Sequence, residues 1–229
     1  MAIDMELEAV LRPPEIPMKP YPPKVITLAN GKKMIVREVT RADVPQMLKA
    51  VRPTISIDKD YYNVVGARVY AELLAWQYHR VVNEFAIIGQ IEGILVGIVN
   101  SRMYNAEVGM SLHTLAIDRG LRIGAHLFAA KMEHHIEFLE QDEVLIVAES
   151  PIGFRRWMTE YSLEPTGIPH ELGGAPSYKL TRKLYFDAKS RLVVGDRPVP
   201  EDLLEEAKRG IVVADEKMIR EKIAGLKGR

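Results

Sequence analysis

Apolar positions along the chain fall into two rhythms: short runs of aliphatic and β-branched residues, and longer stretches at helical spacing. The short runs Val25–Leu28 and Met34–Val39 flank Asn30-Gly31, a pair suited to the left-handed turn that joins two twisted strands, and predict a hairpin. Thr40, with Asp43 three residues on, marks a helix start, and that helix should end near Val51, before Pro53. A second helix is expected over Tyr61 to Val82, with Val65, Val69, Leu73 and Trp76 on one face. Phe85–Ile91 and Ile94–Val99 form another hairpin around Glu92-Gly93, and Val108 to Ile117 is a third strand of this group.

Ile123 to Leu139 returns to the helical rhythm through Phe128, Met132, Ile136 and Leu139. Val144–Ala148 is wholly apolar, as an interior strand is. A helix around Phe154 to Tyr161 and an alternating strand over Tyr178 to Tyr185 close the series. The order is β-α-α-β-β-β-α-β-α-β behind one extra strand, which predicts an α+β fold on a mixed sheet.

Three regions follow. Residues 1–24 are a Pro-rich arm, extended because proline fixes φ and removes donors; it is either a disordered tail or a strap lying on a partner subunit. Residues 25–186 are the main domain. Residues 187–229 hold two further helices, Glu201 to Arg209 and Glu216 to Leu226, an appended segment suited to self-association, so that a homodimer is expected.

Composition narrows the function. Lys plus Arg and Asp plus Glu both total 31, so no basic surplus points to a nucleic acid or an anionic membrane. The absence of cysteine removes disulfides, thiolate nucleophiles and Cys-ligated zinc. The neighbouring His134 and His135 point apart on a helix, so no metal is expected. The first residues lack the basic start and apolar core of a signal peptide, and no apolar run approaches the ~20 residues of a membrane span. The expectation is a soluble, cytoplasmic protein.

The chemistry concentrates in the stretch that follows Ile117-Asp118, where a strand ends, a glycine turn follows and a helix begins. Backbone N–H groups at a helix start lack internal partners and carry partial positive charge, so such a turn can hold a pyrophosphate. Gly120 and Gly124 let the backbone approach, and Arg119 and Arg122 add charge. The alternative is a tight strand-to-helix connection with chance arginines.

Arg119-Gly120-Leu121-Arg122-Ile123-Gly124, taken with the element order, resembles the GNAT superfamily of acyl-CoA-dependent N-acyltransferases, whose loop is Q/R-x-x-G-x-G/A. Arg119 and Gly124 match; Arg122 stands at the middle glycine. Met34–Asp43 also resembles the family's first strand and helix start, and the resemblance spans roughly Ile26 to Tyr185. It implies that acetyl-CoA or another acyl-CoA lies between the strand ending at Ile117 and the Val144–Ala148 strand. Backbone groups of Leu115 and Ile117 would pair with the pantetheine arm, and Arg119 to Ala125, with Leu121 and Ile123 between them, would hold the pyrophosphate. A primary amine, on a small molecule or a protein, would attack the thioester directly.

Amine attack is helped by a base. Glu107 and His113 share a face of the strand that ends at Ile117 and are the titrating candidates. The resemblance implies a tyrosine acid on the later helix; Met158 stands at its position, with Ser162 and Leu163 where Gly and Phe are expected, and Tyr161 is the nearby candidate. Two other readings stay open: a non-catalytic CoA-binding or interaction module on the same fold, and a transferase using a different donor.

Overall fold

The computed structural model describes residues 15–147, 150–169 and 176–224. Within them, eight strands form one sheet: β1 (Lys24–Thr27), β2 (Lys33–Val39), β3 (Glu84–Ile91), β4 (Ile94–Met103), β5 (Val108–Ala116), β6 (Glu143–Val147), β7 (Glu164–Pro169) and β8 (Pro176–Thr181). Their order is β1-β2-β3-β4-β5-β6-β8-β7. Every neighbouring pair is antiparallel except β5 and β6, which are parallel.

Both sequence-marked turns form. Gly31 takes φ 81°, and Glu92-Gly93 take φ 52° and 74°, the left-handed pair that matches strand twist. At the next boundary the Asp43 carboxylate accepts from both the N–H and the hydroxyl of Thr40, at 2.9 and 3.2 Å. Helix α1 (Val44–Val51) follows, then α2 (Tyr62–Gln77). These two cover one face of the sheet. Met47, Val69 and Leu73 pack on Ala86, Ile88, Ile98 and Leu115. The alternate residues Phe85 and Ile87 face the other way, beneath α3 (Ile123–Glu133) and its π-helical continuation His134–Phe138.

Helices α4 (Pro151–Tyr161) and α5 (Arg182–Leu192) build a third cluster with β6 and β8, in which Phe128, Ile146, Leu180 and Tyr185 are buried. The expected strand over Tyr178 to Tyr185 stops at Thr181. Its hydroxyl accepts from the Leu184 N–H at 3.4 Å and starts α5 instead. Strand β7 was not expected, and its Pro165 and Pro169 are tolerated because β7 lies at the sheet edge. Helix α4 begins at Pro151, capped by the Ser150 hydroxyl, which accepts from the Gly153 N–H at 3.1 Å.

The segment after residue 186 is part of the same body. Asp196 exchanges backbone hydrogen bonds with Val25, and Val212 does so with Gly93 and Leu95. Helix α6 (Glu201–Lys208) buries Ala207 against Val25 and Ile35. Helix α7 (Glu216–Ala224) buries Ile219 and Ile223 in the α1/α2 core. The described part of the N-terminal arm packs along this same chain. Ile16 N–H donates to Asn83 at 2.6 Å, and Tyr21 is buried. Arm and C-terminal segment meet at Glu133, whose carboxylate accepts from the Tyr21 hydroxyl (2.6 Å), the buried Lys24 ammonium (2.7 Å) and Arg197 (2.9 and 3.2 Å). The first 14 residues, Ala148 and Leu226, each part of a sequence expectation, lie outside the described residues.

Candidate active site

Strands β5 and β6 pair only from Val108↔Glu143 to Ser111↔Ile146. Beyond Ser111, β5 runs on to Ala116 with no partner on that side among the described residues, while Val147 pairs with Ser177 of β8. The divergence has a local cause on the opposite side. Between Val99↔Thr114 and Ser101↔Ser111, two β5 residues, Leu112 and His113, face the single Asn100. This bulge bends β5 and increases its twist. Asn100 holds it, accepting from the His113 N–H at 3.2 Å and donating to Glu84 at 2.9 Å. The Glu84 carboxyl is buried, and burial pushes its pKa up to about 8.

At the open end of β5 the chain turns through Asp118 to Arg122 and enters α3. Gly120 has φ 101°, and a Cβ there would meet nothing, so the turn leaves space above the backbone. Arg122 is the N-cap of α3 and takes the left-handed conformation, φ 59° and ψ 19°. No side chain caps this helix start, so the first-turn N–H groups open on the space beside the loop. Gly124 packs over Ala116 and Thr114, at 3.6 and 3.8 Å from where its Cβ would lie, an ordinary contact distance.

That space is a groove of about 670 Å³ bounded by the end of β5, the loop, the start of α2 and one face of α4. Most of its charged groups are paired. Arg119 meets Asp60 at 2.6 Å and lies over the Tyr62 ring. Arg122 meets Glu160 of α4 at 2.8 Å, and Arg156 lies 3.9 Å from the same carboxylate. Asp118, at the rim, holds Lys222 of α7 at 2.7 Å. Asp60 and Tyr61 both have positive φ, 52° and 63°, so the segment that presents Asp60 is conformationally strained.

No family model and no curated protein matches the chain. Solved structures do. An uncharacterized protein from Bacillus halodurans superposes with a TM-score of 0.54 at 12% identity, over 75% of this chain and 96% of that one. PaiA N-acetyltransferase from Thermoplasma acidophilum, in complex with coenzyme A, gives 0.45 at 10% identity over 65% and 98%. The GNAT domain of S. lividans PAT gives 0.49 at 12% over 69% and 96%. The chain shares the fold of the Bacillus halodurans protein. At these identities the likeness is one of fold, and the chemistry must come from this chain's own residues.

The sequence-selected residues divide. Arg119 to Ala125 form the loop and α3 start as expected. Arg122, at the position of the pattern's middle glycine, keeps the left-handed backbone that glycine would favour, and its half-exposed side chain turns out to Glu160 rather than filling the turn. The backbone groups at the open edge of β5 are not those of Leu115 and Ile117. Ile117 N–H donates to Val96 at 2.8 Å, which commits Ile117 and, two residues back, Leu115 to β4. Ala116 therefore turns its carbonyl to the open edge, where it accepts from the Tyr62 hydroxyl at 2.7 Å, and Thr114 shares that side.

The three titrating candidates do not converge. Glu107 is exposed in the loop before β5, where its carbonyl holds Asp142 N–H at 2.8 Å, and it lies ten residues, roughly 30 Å of strand, from Ile117. His113 is buried at the bulge where β5 leaves β6. Tyr161 faces the core, edge-on to Phe128 at 5.5 Å; its hydroxyl has no partner among the described residues, and burial raises its pKa further above the usual phenol value. The helix face that does line the groove carries Trp157 and Glu160. Asp60, Tyr62, Glu160 and Arg156 escaped the sequence reading, because only tertiary contact brings them to the loop.

His134 and His135 share no ligand position. His135 lies between Ser101 and Gln141, 2.5 Å from each, and burial lowers its pKa to about 3; His134 packs edge-on against Phe85 and Tyr21. Among the described residues no cluster of three or more His, Asp or Glu could hold a metal, and no helix is long and apolar enough to cross a membrane.

Proposed function

We propose that the protein is an acyl-CoA-dependent N-acyltransferase acting on a primary amine. One observation carries the reading: the unpaired edge of β5 runs directly into an uncapped helix start flanked by Arg119 and Arg122, in a groove large enough for an extended phosphorylated ligand. Arg119 to Ala125 are assigned to the pyrophosphate, through N–H groups of the first α3 turn and the two guanidinium groups. The backbone of Thr114 and Ala116 is assigned to the amide-bearing pantetheine arm, which needs donors and acceptors along a strand edge.

The thioester supplies the acyl group. The amine nitrogen forms a bond to the carbonyl carbon, the carbon–sulfur bond breaks, the amine proton passes to a base, and the sulfur leaves as thiolate. Of the candidate bases, His113 sits where the strands part, outside the groove's lining, so it would act through a bound water rather than directly. Thiolate is a fair leaving group without an acid, given a free thiol pKa near ~8.5, so the inward-facing Tyr161 is not required. Bringing amine and thioester together supplies much of the acceleration.

A second reading, a CoA-binding module without transfer, is favoured by one observation: none of Glu107, His113 and Tyr161 lines the groove. Calorimetry with acetyl-CoA and CoA, followed by release of thiol against a panel of amines, separates the two. The chain has no cysteine, so a thiol reagent reports CoA alone. Binding with turnover is the expected result. Binding without turnover supports the module, and no binding overturns both.

A further inference from the structure

We propose that the outer face of α2 docks on the same face of a second copy of this chain, as an antiparallel helix pair with its two-fold axis at Ala71. The seat is an exposed stripe, Val64, Ala67, Ala71, Leu74 and Tyr78, whose alternating steps of three and four keep it on one side of the helix. The inference stands apart from the acyl-CoA reading and survives its failure.

Helix α2 is apolar on both sides. Its inner face, Val65, Val69, Leu73 and Trp76, is buried on the sheet. Its outer side carries Tyr61, Val64, Leu74 and Tyr78, four of the nine large hydrophobic residues exposed among the described residues. The other five are scattered over other elements, so only α2 gathers them into a continuous patch. A helix that is apolar all round calls for cover on each side. A contiguous exposed patch marks an interaction site, whereas apolar residues scattered singly do not. The C-terminal helix α7 offers no rival face, because its Ile219 and Ile223 are buried in this chain's own core.

The stripe is complementary to itself, which makes a second copy its occupant. A two-fold at Ala71 sets each residue opposite the one equally far along on the other side. Val64 then meets Tyr78 of the second copy, and Leu74 lies over Ala67 of the second copy, so large side chains fall on smaller ones. The backbones approach most closely at Ala71 itself. The charges agree as well. Exposed Arg68 stands on the flank where Glu72 of the second copy arrives, and Arg102 already holds Glu72 in place. From Val64 to Tyr78 the stripe runs about 21 Å at 1.5 Å per residue. One helix face on its copy is small beside the roughly 800 Å² per partner of a standard interface, so the dimer is reversible and depends on concentration. Val64 is one turn from Tyr61, which lines the groove, so Tyr78 of the second copy reaches the groove's rim.

The full chain has no cysteine, so Ala71→Cys introduces a single thiol, on the proposed axis. Under mild oxidation this variant should form a disulfide-linked dimer, because closely crossing helices bring the two Cα atoms within the roughly 4.4–6.8 Å that a disulfide spans. Tyr78→Cys alone should not, its two copies lying about 21 Å apart, but a mixture of Tyr78→Cys with Val64→Cys should link the two chains. Sedimentation of the wild type should show a monomer–dimer equilibrium. Ala71→Glu sets two carboxylates together on the axis and should weaken that equilibrium at least about tenfold. Ala71 is exposed, so the unfolding midpoint of the dilute monomer should not move. Linkage of Tyr78→Cys to itself with none at position 71, or a dimer indifferent to Ala71→Glu, overturns the proposal. So does a wild type that stays monomeric at every concentration: a freely reactive thiol at position 71 then means a bare face, and a shielded one means that another segment of this chain covers it.

Discussion

The hydroxyl of Tyr62 donates to the carbonyl of Ala116 at 2.7 Å, so the first turn of α2 holds the backbone group that β5 presents at its open edge. A pantetheine amide would need that same carbonyl. Tyr62→Phe should lower stability by about 1 kcal/mol. It should also tighten CoA binding about fivefold, because the ligand no longer displaces the phenol. Thermal unfolding and calorimetry on the same samples read both effects, and weaker CoA binding would refute the competition.

Arg122 occupies a left-handed backbone at φ 59° with its side chain held by Glu160. Two substitutions separate backbone from side chain. Arg122→Gly relieves the backbone cost, whereas Arg122→Ala keeps it, on the order of 1 kcal/mol or more. Arg122→Gly should therefore be the more stable of the two, while both weaken CoA binding. If the two variants have the same unfolding midpoint, the strain assignment is wrong.

The Glu133 carboxylate binds Lys24, Tyr21 and Arg197 together. Burial alone would raise its pKa, but the hydrogen bonds and charges of Arg197 and Lys24 outweigh that and lower it to about 2. An acid depressed in the folded state stabilises above its unfolded value and loses that contribution as pH falls towards the folded one. Stability should thus decline between about pH 4.5 and 2, and Glu133→Gln should flatten that part of the profile. Glu133→Ala leaves the Lys24 ammonium buried without its counter-charge and should cost about 3–5 kcal/mol. Denaturant melts at stepped pH measure each.

Asn100 fixes the bulge by holding the His113 N–H on one side and Glu84 on the other. Asn100→Ala should destabilise by about 1–3 kcal/mol, the cost of unsatisfied buried polar groups. Because the bulge bends β5 at the divergence from β6, this variant should also lose CoA affinity despite lying outside the groove's lining. Retained affinity would show that the strands part for another reason.

Ile223 is fully buried in the α1/α2 core although it belongs to the last described helix. Ile223→Ala should cost about 2–5 kcal/mol, as a core truncation does. An exposed, appended segment would show almost no change in the denaturation midpoint.

Much of this fold was legible because its signals are local. Asn30-Gly31 and Glu92-Gly93 carry their turns in two residues, and Val65, Val69, Leu73 and Trp76 mark a helix face without outside help. The loop was legible for the same reason: strand, glycine and helix start are contiguous. What failed depends on partners far along the chain. Alternation placed Leu115 and Ile117 together correctly but could not tell which neighbour their backbone faces; the Val96 carbonyl decides that. Thr181 to Tyr185 fits strand and helix patterns alike, and a cap hydrogen bond settles it as helix. Nothing in sequence joins Tyr62 to Ala116 or Glu160 to Arg122, so the ionic bracing of the groove was invisible.

The convergence on Glu133 and the late docking of α7 set the order in which this protein can mature. Helices α1 and α2 leave the ribosome well before Ile219 and Ile223 arrive to cover them, and Lys24 and Glu133 wait for Arg197. Such distant pairings slow folding, and the uncovered α1/α2 face is exposed hydrophobic surface throughout that interval. A nascent chain stalled before residue 197 should therefore be a chaperone client, released to a compact state only when the C-terminal segment has been made.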